Sequence, residues 1–104
     1  MIRGKKLGIL LSAHPAKPNF QRAVGLAEAA LAEGADVYFY CIDDAVLGLG
    51  EPNLQNLKPR GLKLYACALA AQRRHIPVNE AAIFGGLAIV HDIMAETDCF
   101  VSFG

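Results

Sequence analysis

The chain has 104 residues, 54% hydrophobic and 19% charged, and its ten lysines and arginines balance ten acidic residues to give zero net charge. That length is enough to bury one core, so a single domain over residues 1–104 is expected and disorder is excluded as the main state. Zero charge removes the electrostatic case for nucleic-acid binding, which needs surplus cations, and does little to hold copies of the chain apart.

Residues 7–12 form a short apolar run that reads as a buried strand. Two prolines, Pro15 and Pro18, keep the next segment irregular. Asn19 suits an N-cap, and Phe20, Val24, Ala27 and Leu31 recur at helical spacing, predicting a helix over 19–33 with Gly34 just past its end. Residues 35–42 are rich in β-formers and read as the second strand. Asp43-Asp44 suits the cap of a short helix, and the breaker-rich stretch 48–60 reads as a loop and the most mobile segment. Residues 62–66 read as the third strand, with Cys67 at its carboxyl end. Residues 68–74 read as a helix ended by Pro77. A short strand is expected over 81–84, Gly85-Gly86 as a turn, a helix to Glu96 with Gly86, Val90, Ile93, Met94 and Thr97 on one face, and a last strand over 99–103.

Apolar strands alternating with helices predict an α/β fold: three α/β/α layers around a parallel sheet of four to five strands. The last strand ends the sequence, so an uncovered sheet edge favouring self-association is expected. The most apolar stretch, 81–90, stops at His91-Asp92, short of the ~20 residues a bilayer needs. The start, Met1 through Lys6, is basic, but the apolar run behind it is too short for a signal peptide. The three cysteines, Cys41, Cys67 and Cys99, form no CxxC pair. No disulfide framework and no metal site are therefore expected, and a reducing cytoplasm fits best.

In open α/β sheets, ligands sit beyond the carboxyl ends of the strands. The residues this singles out are His14, Asp43, Cys67 with Ala68 and Leu69 after it, and Gly85 with Gly86. Cys67 is the sharpest. A thiol at a helix N-terminus meets free N–H donors and the positive end of the dipole, an influence worth at most about 2 kcal/mol. A nucleophile and a small packed apolar residue are both readings of it. Cys41 and Cys99 read as small packed hydrophobes. His14 suits an anion contact or proton transfer, or simple solvation beside Pro15. His75 is explained as a cation at a helix end, and His91 as a packing residue. Gly85 and Gly86 suit either an anion held by backbone N–H groups or a tight turn. No GxGxxG, phosphate-loop or nucleophile-elbow motif occurs, and no cofactor is expected.

Leu64-Tyr65-Ala66-Cys67, the ending Val101-Ser102-Phe103-Gly104, and between and before them Asp43-Asp44-Ala45-Val46 and Gly85-Gly86-Leu87, occur in an order that resembles the DsrE/DsrF-like family, which includes the DsrEFH and TusBCD sulfur-relay subunits. The resemblance implies a three-layer fold with about five parallel strands and assembly into dimers, trimers or hexamers. It also implies a persulfide-carrying cysteine, a role that maps onto Cys67 alone, with sulfur donor and acceptor proteins as partners. A non-catalytic oligomeric module of the same family, binding a small anion, a nucleotide or a protein, is the alternative. His14-Pro15 followed by Phe20 also resembles the phosphate loop of flavodoxin-like quinone reductases, which are much longer chains.

Overall fold

Five short apolar runs form the strands β1 (Lys6–Leu11), β2 (Asp36–Cys41), β3 (Lys63–Cys67), β4 (Ile83–Gly85) and β5 (Cys99–Phe103) of a computed structural model that describes residues 3–104. Met1 and Ile2, the beginning of the basic start, lie outside the described residues. All strand pairs are parallel, in the order β4-β3-β2-β1-β5. Between the strands lie α1 (Pro18–Ala32), a 3-10 helix at Asp43–Gly48, α2 (Pro52–Gln55), α3 (Ala68–Arg73) and α4 (Leu87–Glu96).

The order of strands decides where the helices go. From β1 to β4 the chain steps in one direction, so right-handed crossovers put α1, α2 and α3 on one face of the sheet. From β4 it returns past three strands to β5, and the same handedness puts α4 on the other face. Two glycines mark the close approach of α4. A Cβ on Gly8 would lie 2.7 Å from the Phe100 ring and 3.1 Å from Ile93, and one on Gly85 would run into Ile89.

The α1 face holds the main core. Ile9, Leu11, Val37 and Phe39 alternate along β1 and β2 and are sealed by Phe20, Ala23, Val24 and Ala27 of α1. On the opposite face α4 buries only Ile93 fully, and Tyr38 and Tyr65 stay half-buried.

Several elements differ from the sequence expectation. Helix α1 starts at Pro18, with Lys17 in the cap position, because proline's fixed φ suits the first helical residue. Asn19 instead donates to the Gly104 carbonyl (2.7 Å) and accepts from Arg22. The α1 end does use Gly34, at φ +87°, with Gly34 N–H donating to Leu31 and Ala35 N–H to Ala30.

The stretch 48–60 is packed rather than loose. Leu49, Leu54 and Leu57 are buried, and Gln55 and Lys58 both donate to the Ala81 carbonyl. Apolar residues spaced among the breakers fold the segment into consecutive turns. The α4 face is rotated from expectation, with Ile89, Val90 and Ile93 inward and Met94 and Leu87 exposed.

Helix α3 ends at Arg73, ahead of Pro77, because His75 closes it. His75 takes φ +57°, and the N–H groups of His75 and Ile76 donate to Gln72 and Ala71. This is a left-handed closing turn built on a residue with a Cβ, a conformation that costs about 1 kcal/mol relative to glycine. His75→Gly should therefore raise the urea unfolding midpoint by up to about 1 kcal/mol of stability, where glycine inside a helix would lower it.

Candidate functional site

Strands β3 and β4 are neighbours whose following helices leave for opposite faces of the sheet. The carboxyl ends of two such strands cannot both be covered by the same helix, and a crevice opens between them. A cleft of about 500 Å³ lies at this place, lined by Ile42, Asp43, Cys67, Leu69, Ala70, Arg73, Arg74 and Leu87.

Cys67 is the last residue of β3 and the N-cap of α3. The Ala70 N–H donates to its Sγ at 3.4 Å, so the sulfur takes the place of a serine or aspartate oxygen as the cap. The residue is only 8% exposed. Its register partner on β4 is Gly85.

Tyr40, buried on β2, reaches the same point. Its hydroxyl donates to the carbonyls of Gly85 (3.1 Å) and Gly86 (3.3 Å). Burial, then the nearby Cys67, push its pKa up from 10.0 to about 12. Cys41 lies fully buried one residue along β2, and burial pushes its thiol up as well.

The rim carries charge from α3 and the 3-10 helix. Arg74 donates through Nε (3.1 Å) and Nη2 (3.0 Å) to one oxygen of Asp44, and through Nη1 to the Ala70 carbonyl (3.1 Å). Asp43 opens the 3-10 helix at φ +54°, a left-handed conformation that aspartate tolerates better than most residues. Neither aspartate caps that helix through its side chain, contrary to expectation. Leu69 and Leu87 flank the mouth, 53% and 69% exposed.

Of the residues singled out from sequence, Cys67, Asp43 and Leu69 share the cleft. Ala68 opens α3 beside them. Gly85 and Gly86 lie alongside Cys67, and their carbonyls accept from the Tyr40 hydroxyl, that of Gly86 also from the Ile89 N–H. His14 is exposed in its own turn, where Nδ1 accepts from the Ala16 N–H (3.0 Å), and it does not line the cleft. Cys99, read as a packed hydrophobe, is exposed because it begins the edge strand β5.

Sequence reasoning placed Ile42 and Leu87 in segments at the carboxyl end of the sheet but missed Tyr40 and the Asp44–Arg74 pair. The one available signal was Arg74, seven residues beyond Cys67 and so on the same side of a helix. Among the described residues no cluster of three or more His, Cys, Asp or Glu side chains offers a metal site, and no helix is long and apolar enough to cross a membrane.

A parallel α/β sheet with a thiol capping a helix at its switch point is the class of protein this geometry defines. The model of the DsrE/DsrF-like family matches residues 5–103, and the chain belongs to that family. Among solved structures it is similar to the ychN protein from E. coli, at 17% identity and a TM-score of 0.81, over 96% of this chain and 99% of that one. It is also similar to BT1422, a conserved protein of unknown function from Bacteroides thetaiotaomicron, at 14% identity, a TM-score of 0.77 and 95% of each chain. At these identities the likeness is one of fold. No curated protein matches the chain.

The raised Tyr40 and Cys41 values have a consequence in alkali. Below their ordinary pKa values both states hold these protons. Above them the unfolded chain releases protons that the folded chain retains, so stability falls as pH rises. Urea unfolding followed from pH 8 to 12 should show this decline, with the Tyr40 contribution falling between pH 10 and about 12 and absent in Tyr40→Phe.

Proposed function

We propose that this protein carries sulfane sulfur as a persulfide on Cys67, with the chain acting as one domain, in the cytoplasm, as an assembly of identical subunits. The observation that carries the reading is the Cys67 Sγ held by the Ala70 N–H at the floor of a cleft. Family membership supports it, since the family includes sulfur-relay proteins.

The transfer is an exchange between a thiolate and a persulfide. The Cys67 thiolate attacks the terminal sulfur of a donor R–S–SH. A new S–S bond forms to Cys67, the donor's own S–S bond breaks, and R–S⁻ leaves with the electron pair. The proton stays on the transferred sulfur. An acceptor thiolate then attacks that sulfur in the same way and restores Cys67. The Ala70 N–H stabilises the anionic sulfur at the start and end of each cycle. The exposed Leu69 and Leu87 offer an apolar collar to the protein that brings or takes the sulfur.

A second reading has its own support in the 8% exposure of Cys67. On that reading the sulfur is a structural cap, and the cleft binds a small anion, a nucleotide or a partner protein without covalent chemistry.

Incubation with glutathione persulfide followed by peptide mass analysis separates the two. Trypsin places the three cysteines on different peptides, cutting at Arg22, Arg60, Lys63, Arg73 and Arg74. The sulfur-carrier reading requires an added sulfur on Cys67 that a thiol acceptor removes, and no transfer through Cys67→Ser. Sulfur spread equally over Cys67 and Cys99, or confined to Cys99, would overturn it in favour of the structural cap.

A further inference from the structure

We propose that Tyr40 is a positioning residue for Cys67: its hydroxyl clamps the Gly85–Gly86 turn and so keeps the sulfur aligned with the Ala70 N–H. This rests on the sulfur-carrier reading of Cys67.

Gly85 is the register partner of Cys67, and Gly86 is the first residue after β4 and the cap of α4. Neither glycine has a side chain to restrict its backbone. A Cβ on Gly85 would displace the Ile89 side chain of α4. Locally the turn is held by the pairing of Gly85 with Cys67 and by the Ile89 N–H, which donates to the Gly86 carbonyl (3.1 Å), and a further hold comes from another strand.

Tyr40 supplies that hold. It comes from β2, two strands from β4, it is paired with Tyr65 of β3, and it is buried. The hydroxyl proton is directed at the two carbonyl oxygens, at 3.1 and 3.3 Å. On Gly86 it shares the carbonyl with the Ile89 N–H, so the first turn of α4 and the tyrosine meet at one oxygen. Burial keeps this proton in place over the whole physiological range, so Tyr40 acts as a donor and not as a base. The charged groups that line the cleft with the sulfur are Asp43, Arg73 and Arg74, while α4 brings the uncharged Leu87. Tyr40 ties β2 to the end of β4 beside Cys67.

Tyr40→Phe removes the hydroxyl and keeps the ring. Two probes are applied to wild type and variant: glutathione persulfide, read as sulfur on Cys67, and iodoacetamide, read as alkylation of each cysteine. Cys41 is the internal control. It is fully buried on the same strand and becomes reactive only if that strand opens.

Loss of one buried hydrogen bond corresponds to a change of about fivefold to tenfold. The clamp predicts that Tyr40→Phe slows both reactions of Cys67 by about that factor while Cys41 stays unmodified. Equal Cys67 rates in the two proteins would overturn it. So would a Cys67 change accompanied by labelling of Cys41, which would mean that the hydroxyl only holds the fold together. Backbone exchange at Ile89, whose N–H donates to the Gly86 carbonyl, gives a second measure, since release of the turn should speed it without touching β1. Unchanged exchange there would also count against the clamp. If wild-type Cys67 takes iodoacetamide but no sulfur, the sulfur-carrier reading fails, and the alkylation rates alone still decide the clamp.

Discussion

The site depends on a single feature of chain direction: β3 and β4 lie side by side, yet α3 leaves toward one face of the sheet and α4 toward the other. Three successive crossovers run one way and the fourth runs back, and right-handed connections leave no other arrangement. That reversal opens a crevice at the carboxyl ends of these two strands. Cys67 stands at its floor because it ends the inner of the two strands. The first turn of α3 begins at the next residue, so its free N–H groups arrive at the sulfur without any further device.

The two faces of the sheet serve different purposes. The α1 face is sealed by aromatic and branched side chains and supplies most of the burial that stabilises the fold. The α4 face is thinner. One ten-residue helix returns across the sheet, and the glycines at 8 and 85 let it approach closely. It is on this thinner side that Tyr38 and Tyr65 remain half-exposed and that Leu87 stands clear at the cleft mouth. Stability is concentrated away from the site, and access is concentrated near it.

Much of this was legible in the residues. The alternation of apolar runs with helical spacing implies the parallel α/β sheet, and Cys67 announces itself by falling between Ala66, the last of a strand run, and the helix-forming run from Ala68 to Gln72. What stayed hidden depends on register and strand order. Tyr40 meets Gly85 only because β2 and β4 flank β3, and residues 45 apart carry no local sign of that. The Asp44–Arg74 pair joins elements 30 residues apart for the same reason. The packed turns over 48–60 were obscured by glycine and proline, which mark turns but do not say whether the leucines between them are buried. His75 closing a helix was hidden because histidine seldom takes a left-handed φ.

A sulfur carrier needs the Cys67 sulfur both held by an amide and open to a reagent from the cleft. The most direct measurement is the rate of iodoacetamide alkylation at each of the three cysteines of the native protein at neutral pH. The predicted result is that Cys67, though far less exposed than Cys99, reacts at least as fast as Cys99, while Cys41 does not react. A Cys67 as silent as Cys41 would contradict it.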